Sequence, residues 1–205
     1  MFTRIDMKTP RTYTMTTRAN AVEATRRSIK QAAWDLQSQK LWASISLDDI
    51  AELAGVSVQT VLRQFGNRTQ VFEAAMEHGA AIVTEERRTT PGDITDAVRV
   101  IVDHYELRGD GVILMLAQER DNEAIAKVIE HGRGLHRTWV RDVFAPQLDM
   151  SPATEREAII DLLVVATDVY TWKLLRRDQG HSRGTTEQSI RRLLEAILSS
   201  AAKES

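Results

Sequence analysis

Between Ser57 and Arg68 the chain reads SVQTVLRQFGNR, which sets Gln59, Thr60 and Arg63 at helical spacing as side chains able to bond nucleic acid. The amide of Gln59 can bond adenine at both N6 and N7, a pairing worth roughly 1–3 kcal/mol of discrimination between bases. Its plainer role would be a solvated helix residue. Thr60, Arg63 and Arg68 are donors suited to phosphate, and Val58 suits a groove floor or rim. Ser57 would cap a helix whose N-terminus itself attracts phosphate, and Arg26 adds a cation from the basic N-terminal stretch.

Other chemistries find less support. The chain has no cysteine, which excludes disulfides, thiol catalysis and Cys-based zinc sites and fits a reducing cytoplasm. The five histidines show no H-x-x-x-H spacing; His131 and His136, five apart across a Gly-rich stretch, could hold a metal, but such residues are more often solvated. Asp103-His104, or Asp168 near Tyr170, would be an acid–base pair only with a nucleophile motif beside it, and the chain offers none. Gly132-Arg133-Gly134 follows no strand and so is no nucleotide loop. The expectation is no enzyme, no cofactor and no metal.

The elements that must position Gln59 and its neighbours are two short helices. Ser46 with Asp49 three residues on marks the first helix start. Leu47, Ile50, Ala51 and Ala54 give that helix an apolar face. Gly55 supplies a left-handed turn and Val56 plugs the angle between the helices. On the second helix Val58, Val61, Leu62 and Phe65 include the buried positions, while Gln59, Thr60, Arg63 and Gln64 stay polar. The arrangement is a helix-turn-helix with a recognition helix.

Residues 25–75 resemble the DNA-binding domain of the TetR family of bacterial transcriptional regulators. The resemblance rests on Ile29, Ala32, Ala33 and Leu36 in a preceding helix, on Asp49-Ile50-Ala51, on Ala54-Gly55-Val56-Ser57, and on Thr60, Phe65 and Arg68. The sequence departs from the family at three places. Leu62 stands where a Tyr usually offers a phosphate contact, Gln37 replaces a core aromatic, and Leu41 replaces a Gly. Such changes would either tilt the first helix or be offset by Trp34 and Trp42 refilling the lost volume.

The formal net charge of −2 is unevenly spread. Residues 1–30 carry Arg4, Lys8, Arg11, Arg18, Arg26, Arg27 and Lys30 against Asp6 and Glu23, so positive charge gathers where phosphate would be met. Residues 91–205 are acidic on balance. Residues 1–22 lack periodicity and read either as a flexible basic arm for the backbone or minor groove, or as a solvated tail with an upstream start ahead of Met7 or Met15. They lack the apolar core of a signal peptide. No apolar run approaches the ~20 residues of a membrane helix, so the expected location is the cytoplasm, away from membranes.

Beyond Arg68 an apolar pattern predicts a helix to about Thr90, broken by Pro91-Gly92. A helix from Ile94 to Gly109 follows, then a short apolar one at Val112 to Ala117. A long helix from Asn122 to Phe144 is expected to bend or loosen at Gly132 and Gly134. Ser151-Pro152 with Glu155 should open another helix, apolar on nearly every face from Ile159 to Leu175 and therefore buried all round. The last helix, Thr185 to Ser200, repeats Ile190, Leu193, Leu194, Ile197 and Leu198. The resemblance implies that the last two long helices form a four-helix homodimer interface, with Leu194 in its seam. It also implies a pocket for a small-molecule effector, for which Tyr105, Met115, Gln118, Trp139 and Tyr170 supply polar or polarizable tips on apolar helices, although each singly reads as plain core.

The fold expected is all-α: a flexible arm at 1–22, an N-terminal three-helix helix-turn-helix DNA-binding domain with its connecting helix at 23–90, and a helical ligand-binding and dimerisation domain at 91–205. The function expected is a repressor released from double-stranded DNA, at a pseudo-palindromic operator, by a small molecule. A helical dimeric protein-interaction module that has lost DNA binding, motivated by Leu62 and Gln37, is the alternative, and a small helical enzyme a weaker third.

Overall fold

A computed structural model describes the backbone of residues 12–201 and the side chains of residues 19–200. Every regular element among them is helical: α1 Thr12–Gln37, α2 Leu47–Ala54, α3 Val58–Phe65, α4 Arg68–Glu86, α5 Ile94–Leu116, α6 Glu123–Val143, α7 Ala145–Leu148, α8 Arg156–Ala166, α9 Val169–Lys173 and α10 Arg183–Ala201. A 3-10 turn at Trp42–Ser44 precedes α2, and a π turn at Leu174–Asp178 follows α9. No helix of the described residues is long and apolar enough to cross a membrane.

Local chemistry sets the helix-turn-helix boundaries. Asp49 N donates to Ser46 Oγ at 3.0 Å while Ser46 N donates to Asp49 Oδ2 at 2.7 Å, a reciprocal capping box. Ser46 Oγ also donates to Asp49 Oδ2 at 2.6 Å, and that bond, followed by the one from Ser46 N, holds the Asp49 carboxyl down to about 2. Gly55 turns the chain with φ of 68°, and Val56 N donates back to Ala51 O. Ser57 and Asn67 then cap α3 and α4.

Two cores hold the helices. The first joins Ile29, Ala33, Ile50, Val61 and Phe72 of α1 to α4, and it also takes Ile125 and Ile129 from α6. Trp34 and Trp42 are buried in it, Trp42 tilted against Phe72 at 4.6 Å. The second joins Val98, Ile101 and Tyr105 of α5 with Val140, Leu163, Trp172, Ile190 and Leu194.

Several expected boundaries moved. The first helix already runs from Thr12, so residues 12–22 of the expected flexible arm are helical; residues 1–11 lie outside the described residues. The two predicted helices at 94–109 and 112–117 are one, because the glycines between them serve packing. A Cβ on Gly109 would sit 2.3 Å from Trp172 Cζ3, and one on Gly111 2.9 Å from the Ser38 backbone. α6 runs unbroken through Gly132 and Gly134. Ser151 caps nothing; its Oγ donates to Gln147 O, and α8 starts only at Arg156. The apolar run from Ile159 to Leu175 is no single buried helix. It breaks at Thr167-Asp168, where the Asp168 carboxylate accepts from Tyr170 N to start α9, and it leaves Leu162, Val165, Tyr170 and Leu174 exposed.

Candidate nucleic-acid interface and interior cavity

On α3 the buried face is Val61 and Phe65, and the outward face carries Gln59, Leu62 and Arg63. Val58 and Thr60 are half-buried. Ser57 Oγ accepts from Thr60 N at 3.2 Å and lies 3.0 Å from Thr60 Oγ1, so the cap and the threonine order one another at the helix start. Leu62, 40 % exposed, presents an apolar side chain with no donor on the surface that Gln59 and Arg63 share.

Two arginines expected at phosphate have other work. Arg68 Nε donates to Ile45 O at 2.8 Å, its Nη2 donates to Trp42 O, and its guanidinium lies over the Trp42 ring at 4.6 Å. It clamps the turn before α2 to the start of α4. Arg26 Nη1 donates to Gln64 O and stacks on Phe65 at 4.4 Å, fastening α1 to the end of α3. Spacing alone could not separate a brace from a phosphate donor, because both need a long cation next to the recognition helix.

Between the two cores lies a cavity of about 760 Å³, within the ~300–1,000 Å³ range of sites that enclose a small ligand. Trp34, Phe72 and Met76 line it from the helix-turn-helix side, and Tyr105, Met115 and Tyr170 from the other. Those last three were expected there. Gln118 and Trp139 are not in its wall. Gln118 Oε1 accepts from Trp42 N and its Nε2 donates to Leu114 O, both at 3.0 Å, while Trp139 donates to Arg87 O at 2.8 Å.

Spacing missed the buried polar part of the wall, Arg87, His104 and His136; Lys127, Arg133 and Asp168 also line the cavity. Burial pushes His136 down to about 3, helped by Arg87, and pushes His104 down to about 4 against the raising effect of Glu86. Both rings are therefore neutral at neutral pH, and their partners fix the protons. His104 Nδ1–H donates to Glu86 Oε2 at 3.0 Å. His136 Nδ1 accepts from Arg87 Nη1 at 3.3 Å, its Nε2–H donates to Thr167 Oγ1 at 3.1 Å, and Thr167 passes its own proton to Leu163 O. Burial alone would raise the Glu86 carboxyl, but hydrogen bonds from His104 and Arg108 outweigh it and hold it at about 2. Asp103 does not pair with His104; it faces Arg99 and Arg183 at the surface. His131 is exposed while His136 is buried, and no group of three metal-ligating side chains occurs among the described residues.

Residues 29–75 match the family described as bacterial regulatory proteins, tetR family. The helix-turn-helix domain is a TetR-family domain. Beyond that domain too the fold is shared, with a tetR-family transcriptional regulator from Streptomyces coelicolor, at 18 % identity over 89 % of this chain and 84 % of that one, with a TM-score of 0.71. A transcriptional regulator from Rhodococcus sp. Rha1 aligns at 18 % identity over 86 % of this chain and 97 % of its own, with a TM-score of 0.62. No curated protein is a significant match by sequence. The TetR-family domain thus sits on a second helical domain that carries a large cavity against it.

Proposed function

We propose that the chain is a homodimeric, ligand-responsive repressor that reads a pseudo-palindromic operator through α3 and leaves it when a small molecule fills the cavity. The observation that carries this reading is that one cavity is lined from both sides: Phe72 and Met76 belong to α4, whose first residue, Arg68, clamps the helix-turn-helix, and Tyr105 and Met115 belong to α5. An occupant touching both can favour one placement of the recognition helix over another, which is the only way a ligand shifts such an equilibrium. The domain division at Pro91, with 23–90 reading DNA and 91–205 holding ligand and partner, belongs to this proposal.

Within it, Gln59 reads a base, and Thr60 and Arg63 meet phosphate, with Ser57 and Val58 at the groove edge. Two half-sites about 34–36 Å apart would face the two α3 helices of a dimer. The apolar residues Leu162, Val165 and Leu193, exposed on α8 and α10, support dimerisation there. The exposed Leu62 favours a second reading, a helical interaction module that has given up DNA.

A gel shift of the full chain on the DNA flanking its own gene tests the choice. A salt-sensitive complex that outlasts random competitor, and whose base preference relaxes at one position per half-site in Gln59→Ala, supports the regulator. Binding that random DNA removes as readily as operator DNA supports the module.

A further inference from the structure

The cavity wall carries a cation without a carboxylate partner. Its lining from α1, α4 and α5 is largely apolar and includes Phe72, Met76 and Met115. Arg87, the residue that ends α4, reaches this wall with Nη1 on neutral His136 and its guanidinium 5.5 Å from the centre of the Tyr105 ring. Its Nε is buried and has no hydrogen-bond partner. Glu86 beside it is taken by Arg108 and His104, and among the described residues no carboxylate lies within ion-pair distance of Arg87. Trp34, another lining residue, has a buried Nε1–H that is also without a partner.

A buried donor left empty costs about 1–3 kcal/mol, and more when it is charged. Both of these atoms are closed off by their neighbours, so what Arg87 offers the cavity is the rest of its guanidinium, a charge with no carboxylate at ion-pair distance. The other lining acid nearby, Asp168, is occupied in capping α9, and Glu73, Glu77 and Glu123 are exposed. Of the other lining cations, Lys127 pairs with Glu123 and Arg133 with Glu119, which leaves Arg87, among the described residues, as the lining cation without a carboxylate at ion-pair distance.

We propose that the cavity binds a monocarboxylate with an apolar body, the carboxylate on the Arg87 guanidinium and the body among Phe72, Met76 and Met115. A planar two-oxygen acceptor matches the guanidinium fork. A single negative charge matches the one lining cation that has no carboxylate partner, whereas a doubly charged phosphate ester would bury an excess charge. The inference rests on reading the cavity as the effector site. It adds that the charged end of the effector lies at the end of α4, the helix that begins at Arg68.

Full-length protein titrated with decanoate and with decanol, followed by tryptophan fluorescence and by calorimetry, tests this. Decanoate is expected to bind about tenfold or more tightly than decanol. Arg87→Met should abolish that preference and leave decanol affinity unchanged, and Arg87→Lys, which keeps the charge without the fork, should retain part of it. The lysine variant carries the test if the methionine variant does not fold. Equal affinity for acid and alcohol, an equal loss of both in Arg87→Met, or no binding of either would overturn the proposal. A parallel operator gel shift separates this from the functional reading. Decanoate that binds with the Arg87 preference yet leaves an operator complex intact defeats the effector mechanism alone, while decanol that releases operator as well as decanoate defeats the carboxylate alone.

Discussion

Arg63 and Arg68 are five residues apart, yet one faces solvent and the other is folded onto carbonyl oxygens. Arg68→Ala removes bonds to Ile45 O and Trp42 O and a cation over an indole. With charged-donor bonds at ~1.5–3 kcal/mol each, it should cost roughly 2–4 kcal/mol in chemical denaturation, discounted for partial exposure. Arg63→Ala should leave stability within ~0.5 kcal/mol and reduce the salt slope of DNA binding by about 1. His136 and His104 set a second expectation. Their folded values lie below the usual 6.5, at about 3 and about 4, so the unfolded chain binds more protons between those limits. Stability should be complete above pH 6.5 and fall as the pH drops toward 4 and below. Thermal melts between pH 7.5 and 4.5 should show that fall, and a smaller one for His136→Asn; equal slopes would remove His136 as its source.

At the scale of elements, glycine was the residue hardest to interpret from the sequence. Gly55 was legible because a turn between two amphipathic segments needs a positive φ. Gly109 and Gly111 looked like helix ends, but their hydrogen atoms make room for Trp172 and for the Ser38 backbone, and close packing between segments distant in sequence leaves no local pattern. The substitutions should separate accordingly. Gly109→Ala forces a methyl against the fully buried Trp172, whose Nε1 is tied to Glu106. The overpacking cost of ~1–3 kcal/mol should exceed the ~1 kcal/mol that alanine gains in a helix. Gly134→Ala meets nothing within 4 Å and should raise stability by roughly 0.5–1 kcal/mol. Helix–coil signals followed through urea would show the two shifts with opposite sign. The same logic explains the cavity. Tyr105, Met115 and Tyr170 announced themselves as unusual side chains on apolar helices, whereas Arg87 looked like one more charged residue at a helix end.

For the whole molecule, the proposed dimer makes adjacent leucines behave differently. Leu194, expected in the seam, is fully buried in the protomer's own core, and Leu193 is 45 % exposed. Leu194→Asp should therefore unfold the protomer by burying an unpaired charge. Leu193→Asp should keep the helical spectrum and give a monomer in sedimentation where the wild type is a dimer; a wild type that is itself monomeric at micromolar concentration would remove the proposed interface. The helical periodicity of the last segment gave both residues as apolar but could not say which apolar face meets its own chain.

Ile125 and Ile129 sit in the core of the helix-turn-helix although they follow Pro91 by more than thirty residues. The growing chain therefore cannot bury the last part of that core when residue 90 leaves the ribosome. That part is covered only once α6 has emerged, so the packing of the helix-turn-helix is completed after much of the chain beyond Pro91 has been synthesised.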